Sequence, residues 1–158
     1  MRKKKFRIYA IWITVVETVG ILAGLLSKNG INMYQADILE PIFAPPPILF
    51  PIVWTVLYAL MAIGAARVYM IKDNAAEKKS LNLFIAQLII NFFWPLIFFN
   101  AQAFGFAFFW LLLLWFLVLW MIVAFRKVDR ISALLQIPYL FWLSLAAYLN
   151  LSVWIINR

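Results

Sequence analysis

The sequence predicts an all-α integral membrane protein built as a bundle of five transmembrane helices. Of its 158 residues, 67% are hydrophobic and only 13% are charged, and the mean hydropathy is +0.96. No Asp, Glu, Lys or Arg occurs between Leu81 and Phe125. One helix needs only about 20 residues to cross the hydrocarbon core of a bilayer, so this stretch must contain two spans.

The same counting along the whole chain places five apolar spans at residues 8–26, 48–68, 81–100, 104–125 and 131–155. The longest polar connections, about 27–47 and 67–80, are too short for a separate soluble domain, so 1–158 is one domain. The basic start "MRKKKFR" resembles the beginning of a signal peptide. However, the apolar stretch behind it is long and lacks a small-x-small cleavage pattern, which favours a permanent helix.

Positive charge is distributed unevenly between the two sides of the predicted bundle. The net charge is +8, and all but two of the 14 basic residues fall on the N-terminal side. Lys28 and Arg158 lie on the other side. Because cytoplasmic connections carry the excess of Lys and Arg, this bias predicts a cell-membrane protein with a cytoplasmic N-terminus and an external C-terminus. It indicates contact with anionic lipid and no nucleic-acid partner. The basic side comprises Arg2, Lys3, Lys4, Lys5, Arg7, Arg67, Lys72, Lys78, Lys79, Arg126, Lys127 and Arg130.

The chain contains neither cysteine nor histidine. This excludes disulfides, thiol chemistry, His-ligated haem, His-based triads and the usual zinc sites, so no metal site is expected. Any chemistry must use carboxyl, amide, hydroxyl or aromatic groups.

Three spans carry polar and aromatic side chains at helical spacing, so that they share a face. Amides facing lipid would be costly, which predicts that the three faces converge inside the bundle. Taken singly, these amides are better explained as interhelical hydrogen bonds and the rings as packing. Taken together, they describe a pocket for a planar, largely apolar ligand. The members are Trp54, Tyr58 and Met61 of the second span, Gln87, Asn91, Trp94 and Phe98 of the third, and Tyr139, Trp142, Ala146 and Asn150 of the fifth.

Prolines and glycines predict local irregularities. Pro95 and Pro138 each remove a helix hydrogen bond and are expected to kink their spans. The segment Pro41–Pro51 is expected to be extended and stiff, either a lid over the pocket or a rigid linker. Gly20 and Gly24 form a GxxxG spacing that permits close helix approach, and with the lipid-facing aromatics it favours a homodimer.

Glu17 stands at the centre of the first span and shares a face with Gly20 and Gly24, so it is expected to point inward. An ionised carboxyl is costly at this depth. The residue is therefore either a functional intramembrane acid, proton-coupled or in contact with ligand, or a protonated acid bonded to a neighbouring helix.

Three segments resemble the translocator protein or tryptophan-rich sensory protein family, also described as peripheral-type benzodiazepine receptor-like. They are "PIFAPPPILFPIVWTVLYALM", "AQLIINFFWPLIFF" and "PYLFWLSLAAYLNLSVW", in the family's order and spacing. The resemblance implies a pocket, closed by the first loop, for tetrapyrroles such as protoporphyrin IX and haem or for related planar drugs. No further cofactor is implied. The family's pocket positions correspond to Tyr34, Trp54, Tyr58, Asn91, Trp94, Trp142 and Ala146. Gln87 is added to them because it shares the polar face of the third span with Asn91 and Trp94.

Several positions depart from the family pattern. Phe43 stands where the family usually has a loop tryptophan, and Glu17 where it has a proline. Tyr34 is separated from Pro41 by one residue more than in the family. The sterol-recognition pattern of animal members is not met, since Arg158 lies too far beyond Tyr148.

The resemblance implies a porphyrin-binding sensor, carrier or stress regulator. One alternative is an enzyme that degrades protoporphyrin in light, as described for bacterial relatives, with Trp54 and Trp142 as its reactive pair. Another is a structural subunit of a membrane complex, which would bind no ligand.

Overall fold

The computed structural model describes residues 2–71 and 74–158, which form helices and connections without any strand. Lys72, counted above among the basic residues, lies outside the described residues. Five helical segments are long and apolar enough to cross a membrane, which confirms the predicted fold class. The helices are α1 (Arg2–Asp37), α2 (Leu49–Ile71), α3 (Asn74–Pro95), α4 (Phe104–Val128), α5 (Arg130–Leu134) and α6 (Ile137–Ile156), with a π-helical turn at Leu96–Asn100.

Helix α1 extends well beyond the predicted span, so the polar connection expected from Ser27 begins only at Ile38. The extra turns pack against the π turn. The side chain of Asn100 donates a hydrogen bond to the backbone oxygen of Leu26 at 2.9 Å, and Gly30 packs directly on the backbone of Phe99 and Asn100. Tertiary contact therefore maintains the helix through a polar sequence that local pattern assigns to a loop.

The two prolines within the spans have different consequences. Pro95 is the last residue of α3 and is followed at once by the π turn, where the backbone N–H of Ala101 bonds the oxygen of Leu96 at 3.0 Å. The irregularity expected there is present. Pro138 lies in the first turn of α6, where helix N–H groups have no intrahelical partner anyway. The expected kink is present as the interruption of the fifth span at Leu135 and Gln136, whereas the expected loss of a hydrogen bond within α6 is wrong.

The connection from Ile38 to Ile48, here called the first loop, is not uniformly extended. Ala44 bonds the backbone oxygen of Pro41 at 2.9 Å, and Leu49 bonds that of Pro46 at 2.9 Å, so two tight turns interrupt it. Ile42 and Phe43 at its tip are 96% and 76% exposed. The expectation of a fully extended segment is thus wrong, because each turn is closed by a backbone hydrogen bond.

The basic end of the bundle is fastened by an ion pair between α2 and the α4–α5 junction. The Arg67 guanidinium donates hydrogen bonds to both carboxylate oxygens of Asp129, at 2.8 and 3.2 Å. Asp129 also accepts bonds from the backbone N–H and hydroxyl of Ser132, and so caps α5. Asp129 lies between the fourth and fifth spans. The guanidinium, and with it the Ser132 donors, lowers the pKa of this carboxyl to about 2.

The two glycines of the GxxxG spacing differ in their surroundings. A side chain at Gly20 would collide with the Tyr58 ring, so this glycine lets α1 approach α2 closely, as expected. A Cβ at Gly24 would have no atom within 4 Å apart from those of its own helix turn, and Gly24 is exposed. The close-approach interpretation is correct for Gly20 and wrong for Gly24 within this bundle.

Candidate functional site

A buried hydrogen-bond network connects α3 to α6 at the centre of the bundle. The amide of Asn91 donates to the Tyr139 hydroxyl at 2.9 Å, and that hydroxyl donates to Oε1 of Gln87 at 3.0 Å. All three side chains are at most 2% exposed. The predicted convergence of the stripes therefore occurs, and the two amides form interhelical hydrogen bonds.

Two aromatic rings from α2 cover this network. The rings of Trp54 and Tyr58 lie 5.4 Å apart, and Trp54 also contacts Tyr139 at 6.1 Å in an edge-on arrangement. Tyr58 is 7% exposed, and its hydroxyl is within reach of Asn91. Glu17 interacts electrostatically with Tyr58 from α1. However, it is only half-buried, because Val16 occupies the fully buried position beside it.

Trp94 links the network to a second aromatic cluster toward the first loop. Its indole N–H donates to Oδ1 of Asn150 at 3.3 Å, and its ring stacks on Phe98 with centroids 5.1 Å apart. Asn150 in turn donates to the backbone oxygen of Phe104 at 2.8 Å. Tyr34 belongs to this second cluster, at 5.5 Å from the Phe98 ring. The structure therefore places Tyr34 on a helix, away from Trp54 and Trp142.

Trp142 stands at a groove between α2 and α6. The groove has a volume of about 520 Å³, and its rim includes the exposed side chains Ile52, Val56 and Phe141. The ring of Trp142 lines the groove and contacts Phe50 edge-on at 5.7 Å. Its indole N–H is buried and has no hydrogen-bond partner within the described part of the chain. Ala146, one turn further along α6, is buried in the main core.

Sequence reasoning missed the central role of Tyr139 and the cover that Phe50 provides. Tyr139 was placed on the α6 stripe but was not selected as a site residue, although its hydroxyl joins both amides. Its sequence signal was the helical spacing to Trp142 and Ala146. Phe50 lies inside an apolar run that gives no such signal. Within the described residues, no cluster of acidic side chains could hold a metal ion.

These features define an integral membrane protein whose five spans enclose a centre of aromatic rings and hydrogen-bonded amides. A family model described as the TspO/MBR family matches residues 12–155. The chain therefore belongs to the TspO/MBR family.

Relatives of known name match nearly the whole chain. Protein CrtK of Rhodobacter capsulatus is 32% identical over 151 residues, which are 95% of this chain and 92% of the relative. The translocator protein of Homo sapiens is 33% identical over 148 residues, 92% and 88% of the two chains. The tryptophan-rich protein TspO of Chlorobaculum tepidum is 30% identical over 158 residues, 98% of each.

Proposed function

We propose that this membrane protein binds tetrapyrroles such as protoporphyrin IX and haem between α2 and α6, and acts as a sensor, carrier or stress regulator. The observation that carries the proposal is the buried N–H of Trp142, which lacks a partner beside a groove of about 520 Å³. A buried donor without an acceptor is costly, and small-molecule sites commonly have volumes of about 300–1,000 Å³.

The chemistry of the surrounding side chains supports a planar ligand with acidic substituents. Besides Trp142, the groove is lined mainly by aliphatic side chains of α2 and by Phe141. The Phe50 ring contacts Trp142, and the Trp54 and Tyr58 rings continue the face of α2 that carries Phe50, so flat aromatic faces adjoin the groove and favour a flat macrocycle. A porphyrin propionate or carbonyl oxygen would accept the hydrogen bond that Trp142 does not make. Gln87 and Asn91 contribute indirectly, because their amides are engaged with Tyr139 and hold that ring against Trp54.

Trp142→Phe tests the proposal, because it keeps an aromatic ring and removes the N–H together with the five-membered half of the indole, a loss of ring area that the matched control shares. We expect the affinity for protoporphyrin IX, measured by absorbance titration in nanodiscs, to fall by about tenfold or more. A hydrogen bond to a charged acceptor contributes roughly 1.5–3 kcal/mol. The matched control is Trp120→Phe, since Trp120 is 55% exposed on α4 and packs under Lys79. Equal affinity in Trp142→Phe and the wild type, or an equal loss in both variants, would contradict the proposal.

A second candidate function is light-dependent degradation of the bound porphyrin. It is favoured by the ring contacts of Trp54, which lies 5.4 Å from Tyr58 and 6.1 Å from Tyr139, so that two further oxidisable rings adjoin it. Illuminating the complexes from the titration distinguishes binding alone from catalysis. An enzyme would yield a defined product that Trp54→Phe and Trp142→Phe fail to make and Trp120→Phe still makes.

We further propose that the protein lies in the cell membrane with its N-terminus in the cytoplasm and its C-terminus outside. The support is the bias of Lys and Arg toward the N-terminal end of α1 and the α2–α3 and α4–α5 connections. A reporter fused before Arg2 should be active as a cytoplasmic protein, and one fused after Arg158 as an external one. The reverse pattern would overturn this orientation and leave the five spans intact.

A further inference from the structure

The first loop is joined to the end of α6 by one asparagine side chain. Oδ1 of Asn157 accepts a hydrogen bond from the backbone N–H of Leu39 at 3.0 Å, and Nδ2 of Asn157 donates to the backbone oxygen of Leu39 at 3.0 Å. The amide thus pairs with both polar groups of one loop residue, 118 positions away in the sequence. These two bonds are here called the Asn157–Leu39 pair.

Asn157 does not need the Asn157–Leu39 pair in order to end α6. The backbone N–H of Asn157 bonds the oxygen of Val153 at 3.0 Å, and Nδ2 of Asn157 reaches the same oxygen at 2.9 Å. Asn157 therefore already satisfies the oxygen of Val153 within α6. The contacts to Leu39 are additional, and they hold the first loop rather than α6.

The loop is restrained near Leu39 and free at its tip. Pro41 is buried, whereas Ile42 and Phe43 are almost wholly exposed. At its other end the chain enters α2, where Phe50 contacts Trp142. Both ends of the loop are thus anchored to α6, one through Asn157 and the other through Trp142.

The same face of α6 that forms the candidate site also carries Asn157. Trp142, Ala146, Asn150, Val153 and Asn157 recur at spacings of three or four residues, which places them in one stripe. Ala146, Asn150 and Val153 are buried along it. Trp142 and Asn157 therefore lie on one rigid element, and each of them contacts one end of the first loop.

We infer that Asn157 is a positioning residue that fixes the first loop relative to the Trp142 site and couples loop opening to ligand release. The coupling, but not the loop contact, rests on the proposed porphyrin binding. Asn157 itself touches neither the groove nor the rings around Trp54. Its effect on the ligand is exerted through Leu39 and the loop.

Hydrogen exchange on the ligand-free protein in nanodiscs tests the loop contact. In Asn157→Ala we expect the Leu39 amide to exchange about three- to tenfold faster, which corresponds to the loss of one ordinary hydrogen bond. Amides in the centre of α3 should exchange as in the wild type. Asn157→Asp keeps an acceptor for the Leu39 N–H and repels the Leu39 oxygen, so we expect an intermediate rate. The control is Asn82→Ala, an exposed asparagine of α3 distant from the loop.

Stopped-flow release of protoporphyrin IX tests the coupling with the same variants. We expect faster release from Asn157→Ala, with Asn82→Ala unchanged. An unchanged Leu39 exchange rate would overturn the inference outright. Faster exchange with unaltered release would overturn the coupling. If the wild type binds no porphyrin while Leu39 exchange still accelerates in Asn157→Ala, the loop contact is supported and the proposed function is refuted.

Discussion

Gly30→Ala is expected to lower the free energy of unfolding by about 1–2 kcal/mol, although alanine is the better helix former. A Cβ at this position would lie 2.6 Å from the carbonyl carbon of Phe99 and 2.7 Å from the backbone nitrogen of Asn100. A side chain could rotate away from such a collision, but backbone atoms cannot. Overpacking of this kind costs about 1–3 kcal/mol or more, which exceeds the roughly 1 kcal/mol gained in helix propensity.

The control for this change is Gly24→Ala on the same helix. Gly24 has open space around it, so only the propensity gain remains, and we expect equal or slightly higher stability. Reversible unfolding in mixed detergent micelles, followed by circular dichroism, measures both variants. Similar stability of the two alanine variants would show that α1 does not approach the π turn as closely as the structure places it.

Tyr139→Phe is expected to cost about 2 kcal/mol of stability while leaving the core volume almost unchanged. The change removes the acceptor of Asn91 and the donor to Gln87, and leaves two buried amide atoms without these partners. Each unsatisfied buried group costs about 1–3 kcal/mol, although interhelical hydrogen bonds in membranes average nearer 0.6 kcal/mol. We also expect weaker porphyrin binding, because the ring at position 139 loses the two hydrogen bonds that hold it against Trp54.

Tyr148→Phe is the matched control for Tyr139→Phe. Tyr148 lies on the same helix, is 51% exposed, and its hydroxyl takes part in none of the hydrogen bonds described for the bundle. Its loss should change the unfolding midpoint little. If both phenylalanine variants lost equal stability, the network around Tyr139 would contribute nothing specific.

Much of the candidate site could be predicted from periodicity. The spacing of Gln87 and Asn91, and of Trp54 and Tyr58, correctly placed each pair on one helix face. Because an amide exposed to lipid is energetically costly, the face that carries the amides is predicted to point inward. Tyr139 was harder to single out, because a buried hub tyrosine and a lipid-facing tyrosine such as Tyr148 are the same residue in the same kind of helix. Helical spacing placed Tyr139 on the inward stripe, but only the depth of α6 against α3 sets its hydroxyl between the two amides.

The glycines also show which contacts the local sequence pattern predicts and which depend on tertiary packing. The GxxxG spacing selected Gly20 and Gly24, yet Gly24 faces open space and the closest backbone approach is at Gly30. Gly30 lies in a polar stretch that local pattern assigns to a connection. Its packing partner, the π turn after Pro95, is about 70 residues away, so no local signal could identify it.

The sequence alone determined that the protein lies in a lipid bilayer, how many times it spans it and which helix faces point inward. Polar groups are costly in hydrocarbon, so composition locates the spans and helical spacing shows which faces carry the polar groups. The tertiary structure decided which inward groups meet. It joined Asn91 and Gln87 through Tyr139, left the Trp142 N–H without a partner beside a groove, and tied Leu39 to Asn157. These outcomes depend on the relative depth and rotation of helices, which are set by packing between residues distant in the chain.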